Sequence, residues 1–193
     1  MVHFIDLNKN KKKEIVLDKP GKYVAFMYNI SGDFRFEIKK ENVDLDIYGL
    51  FLGKDTDEFK INTIQHHDAP SAKSNLFIKG VFDGQSRFRH TGLIKIEKKG
   101  MKTHAYQKNQ SIILSSQTYV ESEPFLEILA NDVFCTHGST TGKLNEEQIY
   151  YLKTRGIADK QARKLLISGF INEIIWQLKA HGIKTSQDLL SYA

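Results

Sequence analysis

The sequence predicts a mainly β body that carries a C-terminal helical appendage, and three observations predict it. Through the first two thirds of the chain, apolar and polar residues alternate at a spacing of two, the period of half-buried strands. Gly, Asn, Asp and Ser separate these short runs as turn residues do. After Gly142 the apolar spacing changes to three and four residues, the period of a helix. The chain has 193 residues, of which 40% are hydrophobic and 11% aromatic, and this excludes a disordered polymer. Three prolines and thirteen glycines leave no room for a proline-rich linker or a collagen-like segment. No apolar run approaches the roughly 18 residues that a membrane span needs.

The elements follow in order. The opening MVHFIDLNKNKKKEIVL has no apolar core behind its lysines, so neither a secretory signal nor an Arg-rich transit peptide is visible and the cytoplasm is the expected compartment. From residue 14 to about 135 the chain reads as strands. Phe34, Phe36 and Ile38 alternate with Arg35, Glu37 and Lys39, and Val43, Leu45 and Ile47 alternate with Asp44 and Asp46. Further runs are EFKINTI (58–64), NLFIKGVF (75–82), GLIKIE (92–97), SIILS (111–115) and FLEIL (125–129), for roughly ten strands in all. A glycine followed by an apolar residue recurs at Gly49-Leu50, Gly80-Val81 and Gly92-Leu93, a hint of stacked rungs at irregular spacing. On periodicity alone a β-sandwich and a parallel β-solenoid fit equally, because both are built from short half-buried strands. Asn145, with Gln148 three residues on, caps a short helix that ends before Gly156. Asp159 then caps a longer one, in which Ala162, Leu165, Leu166, Phe170, Ile174 and Leu178 form the stripe and Gly182 is the residue past the end. Ser186 caps a last turn through Leu190.

The net charge of +5 and a pI near 9.1 would permit nucleic-acid binding, but the charge is spread along the chain. The densest runs, Lys9–Lys13 and Lys95–Lys102, read as solvated loops or strand edges charged against aggregation. One cysteine, Cys135, excludes an internal disulfide and any CxxC knuckle. It lies two residues before His137 in LEILANDVFCTHGSTTGKL. If that segment is extended, the two side chains share a face with backbones about 6.6 Å apart, within reach of one metal ion. A small buried cysteine and a histidine bonded to a turn carbonyl fit the same residues. A thiol hydrolase would need an imidazole aimed at Cys135 and a third group orienting it, which same-face strand neighbours seldom provide. Of His66 and His67 at most one points inward, and His90 and His104 read as structural. Neither GxxxxGK[ST] nor GxGxxG occurs, so any ATP chemistry belongs to a partner.

From His67 onward the chain carries HDAPSAKSNLFIKGVFDGQSRFRHTGLIKI, then THAYQKNQSIILS, then PFLEILANDVFCTHGSTTGKLNEEQIYYLKTRGI. In these motifs and their order it resembles the C-terminal half of the SufB/SufD family, core subunits of the SUF machine for iron–sulfur cluster assembly. The resemblance covers about residues 66 to 178. It implies a right-handed parallel β-helix (solenoid) followed by a C-terminal α-helical domain, here residues 1–142 as a truncated core and 143–193 as the helical domain. It implies a scaffold subunit rather than an enzyme. The Cys-Thr-His-Gly form at Cys135–Gly138 is closer to the SufD branch, where this segment supplies a histidine, with a cysteine nearby, at the assembly site. His137 and Cys135 are therefore the implied metal-site residues for a transient iron–sulfur cluster shared between chains. The cysteine that cluster-forming SufB sequences present near Gln107–Ser111 is replaced by QKNQS. Two donors fall short of the four a cluster usually takes, so the isolated monomer is not expected to hold one.

The resemblance further implies that the helical domain docks a SufC-type ABC ATPase, with Tyr150, Tyr151 and Arg155 at or near the docking surface; the alternative is that the two tyrosines pack this helix on the β-body. Flavin, which some complexes of the family bind, is a further cofactor for which the sequence has no motif. Family members carry more coils and an N-terminal helical region before the matching segment. This chain is expected to be a minimal version, its first rung protected by Lys9–Lys13. The functional unit is expected to be a homodimer, or a heterodimer with a SufB-like chain, formed through the last strands around Ser111–His137. A nucleic-acid-binding β protein and a thiol enzyme using Cys135 are the competing functions. No membrane partner is expected.

Overall fold

A computed structural model describes residues 2–9 and 13–183. The capping of a last turn by Ser186 and the middle of the Lys9–Lys13 run lie outside the described residues. The strands are β1 (Val2–Asp6), β2 (Glu14–Leu17), β3 (Gly21–Tyr28), β4 (Gly32–Ile38), β5 (Val43–Gly53), β6 (Glu58–His67), β7 (Lys73–Phe82), β8 (Arg87–Ile96), β9 (Thr103–Ile113), β10 (Tyr119–Ile128) and β11 (Val133–Gly142). Odd-numbered strands form one six-stranded sheet and even-numbered strands a five-stranded one, each in sequence order. Every pairing is parallel. The chain thus crosses from sheet to sheet with each strand and climbs one rung per pair. From β5 on, Asp44 lies beside Lys73 and Lys73 beside His104, a repeat of about thirty residues. The fold is the parallel β-helix with a C-terminal helical part that the resemblance implies, and the sandwich is excluded.

Alternation explains the interior. Phe36, Ile38, Leu45, Ile47, Ile61, Leu76 and Ile78 are fully buried between the sheets. Phe51, Phe82 and Phe88 stack there with ring centroids 4.9 Å apart. Each such side chain contributes roughly 1.5–3 kcal/mol by burial, so Phe88→Ala is a change that would open the stack. Gly80 makes room for one of these rings, since a Cβ there would sit 2.2 Å from Phe82. The recurring glycines do not stack on one another: Gly49 pairs with Ile78, and Gly80 with Phe51 and Ser111.

Two helices follow, α1 (Glu146–Thr154) and α2 (Asp159–Ala180). Asn145 caps α1 as its sequence position predicts, its side-chain oxygen accepting from the amides of Glu147 at 2.8 Å and Gln148 at 3.1 Å. At α2 the cap position falls on Ala158, which offers no side-chain acceptor, and Asp159 is the first helical residue, where its charge suits the positive end of the helix. Gly182, with φ +75°, follows the C-cap His181 as expected. Helix α2 lies on the outer face of the six-stranded sheet. Its Ile171, Ile174, Ile175 and Leu178 pack on Val24 and Phe26 of β3, Tyr48, Leu50 and Leu52 of β5, and Val81 of β7. These strands are therefore buried on both faces, which is why YVAFM and YGLFL read as continuous apolar runs rather than alternating ones. Lys79 of β7 is buried beneath the helix, paired with Glu173 and donating to the carbonyl of Phe170 at 3.0 Å, with that ring 4.1 Å from its ammonium. Burial lowers its pKa, and the pairing with Glu173 opposes that only in part.

Two boundaries differ from the sequence reading. A first strand, β1, precedes the predicted β region and pairs with β3. SIILS is not a strand of its own: Ser111, Ile112 and Ile113 end the long β9, and Leu114 and Ser115 lie past it.

Candidate site at the last coil of the solenoid

Both sheets end in the last coil, where β10 and β11 each have one unpaired edge among the described residues. Strand β11 presents the sequence-predicted pair. Cys135 stands beside Ala105 of β9, and His137 beside Gln107. Ala105 and Gln107 are buried interior residues, so Cys135 and His137 share the inward face, as their spacing predicts. Cys135 is half-buried against a small cluster of Ile94, Ile96, Ala105 and Ala130, and burial pushes its thiol from 9.0 up to about 11. His137 is exposed. Among the described residues no group of three or more His, Cys, Asp or Glu side chains is placed to hold a metal ion. The arrangement places one thiol and one imidazole on the same face.

The same coil exposes several apolar side chains. Phe125 is 49% exposed and Phe134 62%, with Leu126, Ile128 and Leu129 also open to solvent. His104 lies against the Phe134 ring, centroids 5.8 Å apart. Strand β9, by contrast, is flanked by both β7 and β11, with Ser111 buried. Among the described residues at this end of the solenoid, the free edges belong to β10 and β11 and not to β9.

The other histidines sort as the sequence suggests. His67 points inward and is fully buried, its Nε2 2.7 Å from Ser74 Oγ. His66 faces out between Glu37 at 2.9 Å and Glu97 at 3.1 Å, with Arg35 also on Glu37. Burial raises the Glu37 carboxyl, but the bonds from His66 and Arg35 outweigh it and hold it below the usual range. His90 is buried, its Nε2 2.9 Å from Thr63 Oγ1.

What sequence reasoning missed is the polar interior of the late coils. The inward positions of β9 are Thr103, Ala105, Gln107, Asn109 and Ser111, all buried. In the other sheet Thr63, Gln65 and His67 of β6 and His90 of β8 are also buried polar residues. The signal was present in QKNQS, whose period-two residues Gln107, Asn109 and Ser111 are polar on the face that a solenoid buries.

On the helical part, Tyr150 is 70% and Tyr151 57% exposed, so neither packs α1 on the β-body. Arg155 lies 5.4 Å from the Tyr151 ring centroid. Tyr151 borders a shallow cleft of about 360 Å³ with Glu147, Gln148, Leu152, Leu165 and Leu166.

The fold is a solenoid of parallel rungs with the candidate donors on an edge strand. Residues 12–170 match the family model for the SUF system FeS cluster assembly SufBD core domain. The chain belongs to the SufB/SufD family. It is similar to the iron–sulfur cluster assembly protein SufD of Escherichia coli (strain K12), 30% identical over 148 residues, covering 77% of this chain and 35% of that protein. An iron–sulfur cluster assembly SufBD family protein of Mycobacterium leprae (strain TN) is 34% identical over 140 residues, covering 68% and 36%. One from Synechocystis sp. (strain ATCC 27184 / PCC 6803 / Kazusa) is 33% identical over 109 residues, covering 56% and 24%. The chain therefore spans about a third of the length of the first two relatives and less of the third. No helix among the described residues is long and apolar enough to cross a membrane.

Proposed function

We propose that the chain is a SufD-like scaffold subunit of a SUF-type assembly complex, acting in the cytoplasm without catalysing a reaction itself. In this reading residues 1–142 form the scaffold core and residues 143–193 the docking domain. His137 and Cys135 lend two donors to a cluster-assembly site completed by a second chain, and the iron–sulfur cluster is cargo rather than a resident cofactor. The observation that carries the reading is the position of the pair on β11, an edge strand, in a coil that also exposes apolar side chains. Pairing there would cover Phe125 and Phe134 and bring in the missing donors, from a second copy or a SufB-like partner. The thiol-enzyme alternative is disfavoured by the raised Cys135 pKa, since a nucleophilic thiol needs a lowered one.

Anaerobic reconstitution with iron and sulfide tests the shared site. The chain alone should give little stable visible absorption, and a complex with a SufB-like chain should give more, reduced by His137→Ala and by Cys135→Ser. A stoichiometric cluster on the chain alone that survives both substitutions would refute it.

The helical part is read as the dock for a SufC-type ATPase, with Tyr150, Tyr151 and Arg155 as anchors beside the cleft, aromatics and arginine being favoured at interfaces. Deleting the helices would uncover the apolar face under α2, so point changes are the sharper test. Tyr150→Ala with Tyr151→Ala should reduce co-purification with the ATPase while the fold is kept; undiminished binding would move the dock elsewhere.

A further inference from the structure

The interior of the solenoid changes character along its axis. Strands β5 and β7 contribute Leu45, Ile47, Phe51, Leu76 and Ile78, whereas β9 contributes Gln107, Asn109 and Ser111. Among the described residues, both side-chain amide atoms of Asn109, the Gln107 Oε1 and the Ser111 Oγ are buried with no hydrogen-bond partner. Gln65 has the same deficit at both amide atoms. Buried polar groups in this condition favour any state that lets water reach them. The outer cover changes too: α2 packs on β3, β5 and β7, while the apolar residues of β10 and β11 lie exposed. The apolar cluster holding Cys135 is small, centred on Ile94, Ile96, Ala105 and Ala130.

We propose that β10 and β11 open together as one cooperative unit while the coils through β8 stay closed. In a solenoid each rung is held only by its neighbours, so the terminal rung, which has no helix over it and whose opening lets water reach the unpaired groups of β9, opens at the lowest cost. That unit carries both free edges of the late coils. If the docking proposed above holds, a partner chain would bind its closed form, but the opening itself is a property of the chain alone and is tested without a partner.

Hydrogen–deuterium exchange on the full chain at neutral pH is the test. Amides of the β8–β10 and β9–β11 ladders should share one protection level, about tenfold or more below that of β5 and β7. Asn109→Val, which removes two buried unpaired atoms, should raise that shared level about tenfold and leave β5 and β7 unchanged. Ser111→Ala should act in the same direction, and it decides the matter if Asn109→Val does not fold. Protection graded residue by residue from the edges, or unchanged in both variants, would overturn the proposal.

Discussion

The thiol of Cys135 should be slow to alkylate, and its pH profile should say why. Burial against Ile94, Ile96 and Ala105 pushes its pKa from 9.0 to about 11. At pH 7 an ordinary thiol with the lower value is ionised in about one molecule in a hundred, and one with the higher value in about one in ten thousand. A more basic thiolate is the better nucleophile, which returns roughly one factor of ten. The folded chain should therefore react with iodoacetamide about tenfold more slowly at pH 7 than the same chain in urea. Its rate should climb about tenfold per pH unit from 7 to 10 with no plateau. A plateau below pH 9, or a rate above the unfolded control, would refute the reasoning and restore Cys135 as a nucleophile. Iron binding at Cys135, if it occurs as proposed, is tied to the same quantity, because a ligating thiol must first lose its proton.

Three further outcomes are expected. Burial lowers His67 from 6.5 to about 3 and His90 from 6.5 to about 4. Since the unfolded chain binds these protons first, their contribution is complete above pH 6.5 and is lost as pH falls from there toward 4, at up to about 1.4 kcal/mol per unit for each. Urea midpoints between pH 7 and 4 measure it, and a slope unchanged in His67→Gln with His90→Gln would show that other groups control acid stability. Glu173→Ala, which leaves the buried Lys79 ammonium with the Phe170 carbonyl as its main partner, should cost about 1–3 kcal/mol by urea unfolding. Lys79→Met, which removes the charge and keeps the apolar stem, should cost less; the reverse order would sink that account. Phe134→Lys with Phe125→Lys should leave the isolated chain folded, both residues being largely exposed, and abolish pairing in sedimentation, whereas pairing that survives would remove β10 and β11 as the interface.

The strands around Phe36, Leu45 and Ile61 were legible because each buries one face, and burial of one face writes itself as alternation. Strand β3 was less legible for the opposite reason. Its Val24, Ala25, Phe26 and Met27 are all buried, two under α2 and two inside the coil, and a strand covered on both sides loses its period. Asn145 and Gly182 could be read because capping is local chemistry. Ala158 could not, since Asp159 one residue on looked the better cap. Of the candidate site, the shared face of Cys135 and His137 follows from their spacing. Their place on an edge strand does not, because strand neighbours roughly thirty residues apart leave no mark in a single sequence. The polar face of β9 was in plain view, yet alternation alone does not say which of two faces is inside.

These features converge on one end of the molecule. The early coils combine stacked phenylalanines inside with α2 outside, and Lys79 pairs with Glu173 between them. The last coil has neither. It covers the β9 amides and hydroxyl of Gln107, Asn109 and Ser111 that find no partner among the described residues, and it leaves Phe125 and Phe134 in solvent. Adding an apolar residue at Asn109 would strengthen the coil, so the stability forgone there is easily recovered by substitution and is not forced by the fold. If the last rung joins another chain and its thiol and imidazole meet donors from outside, as proposed, it gains from being the part of the solenoid least finished on its own. The same reasoning gives an order of events: if docking completes the rung, protection of β10 and β11 should rise on partner binding before any iron is added.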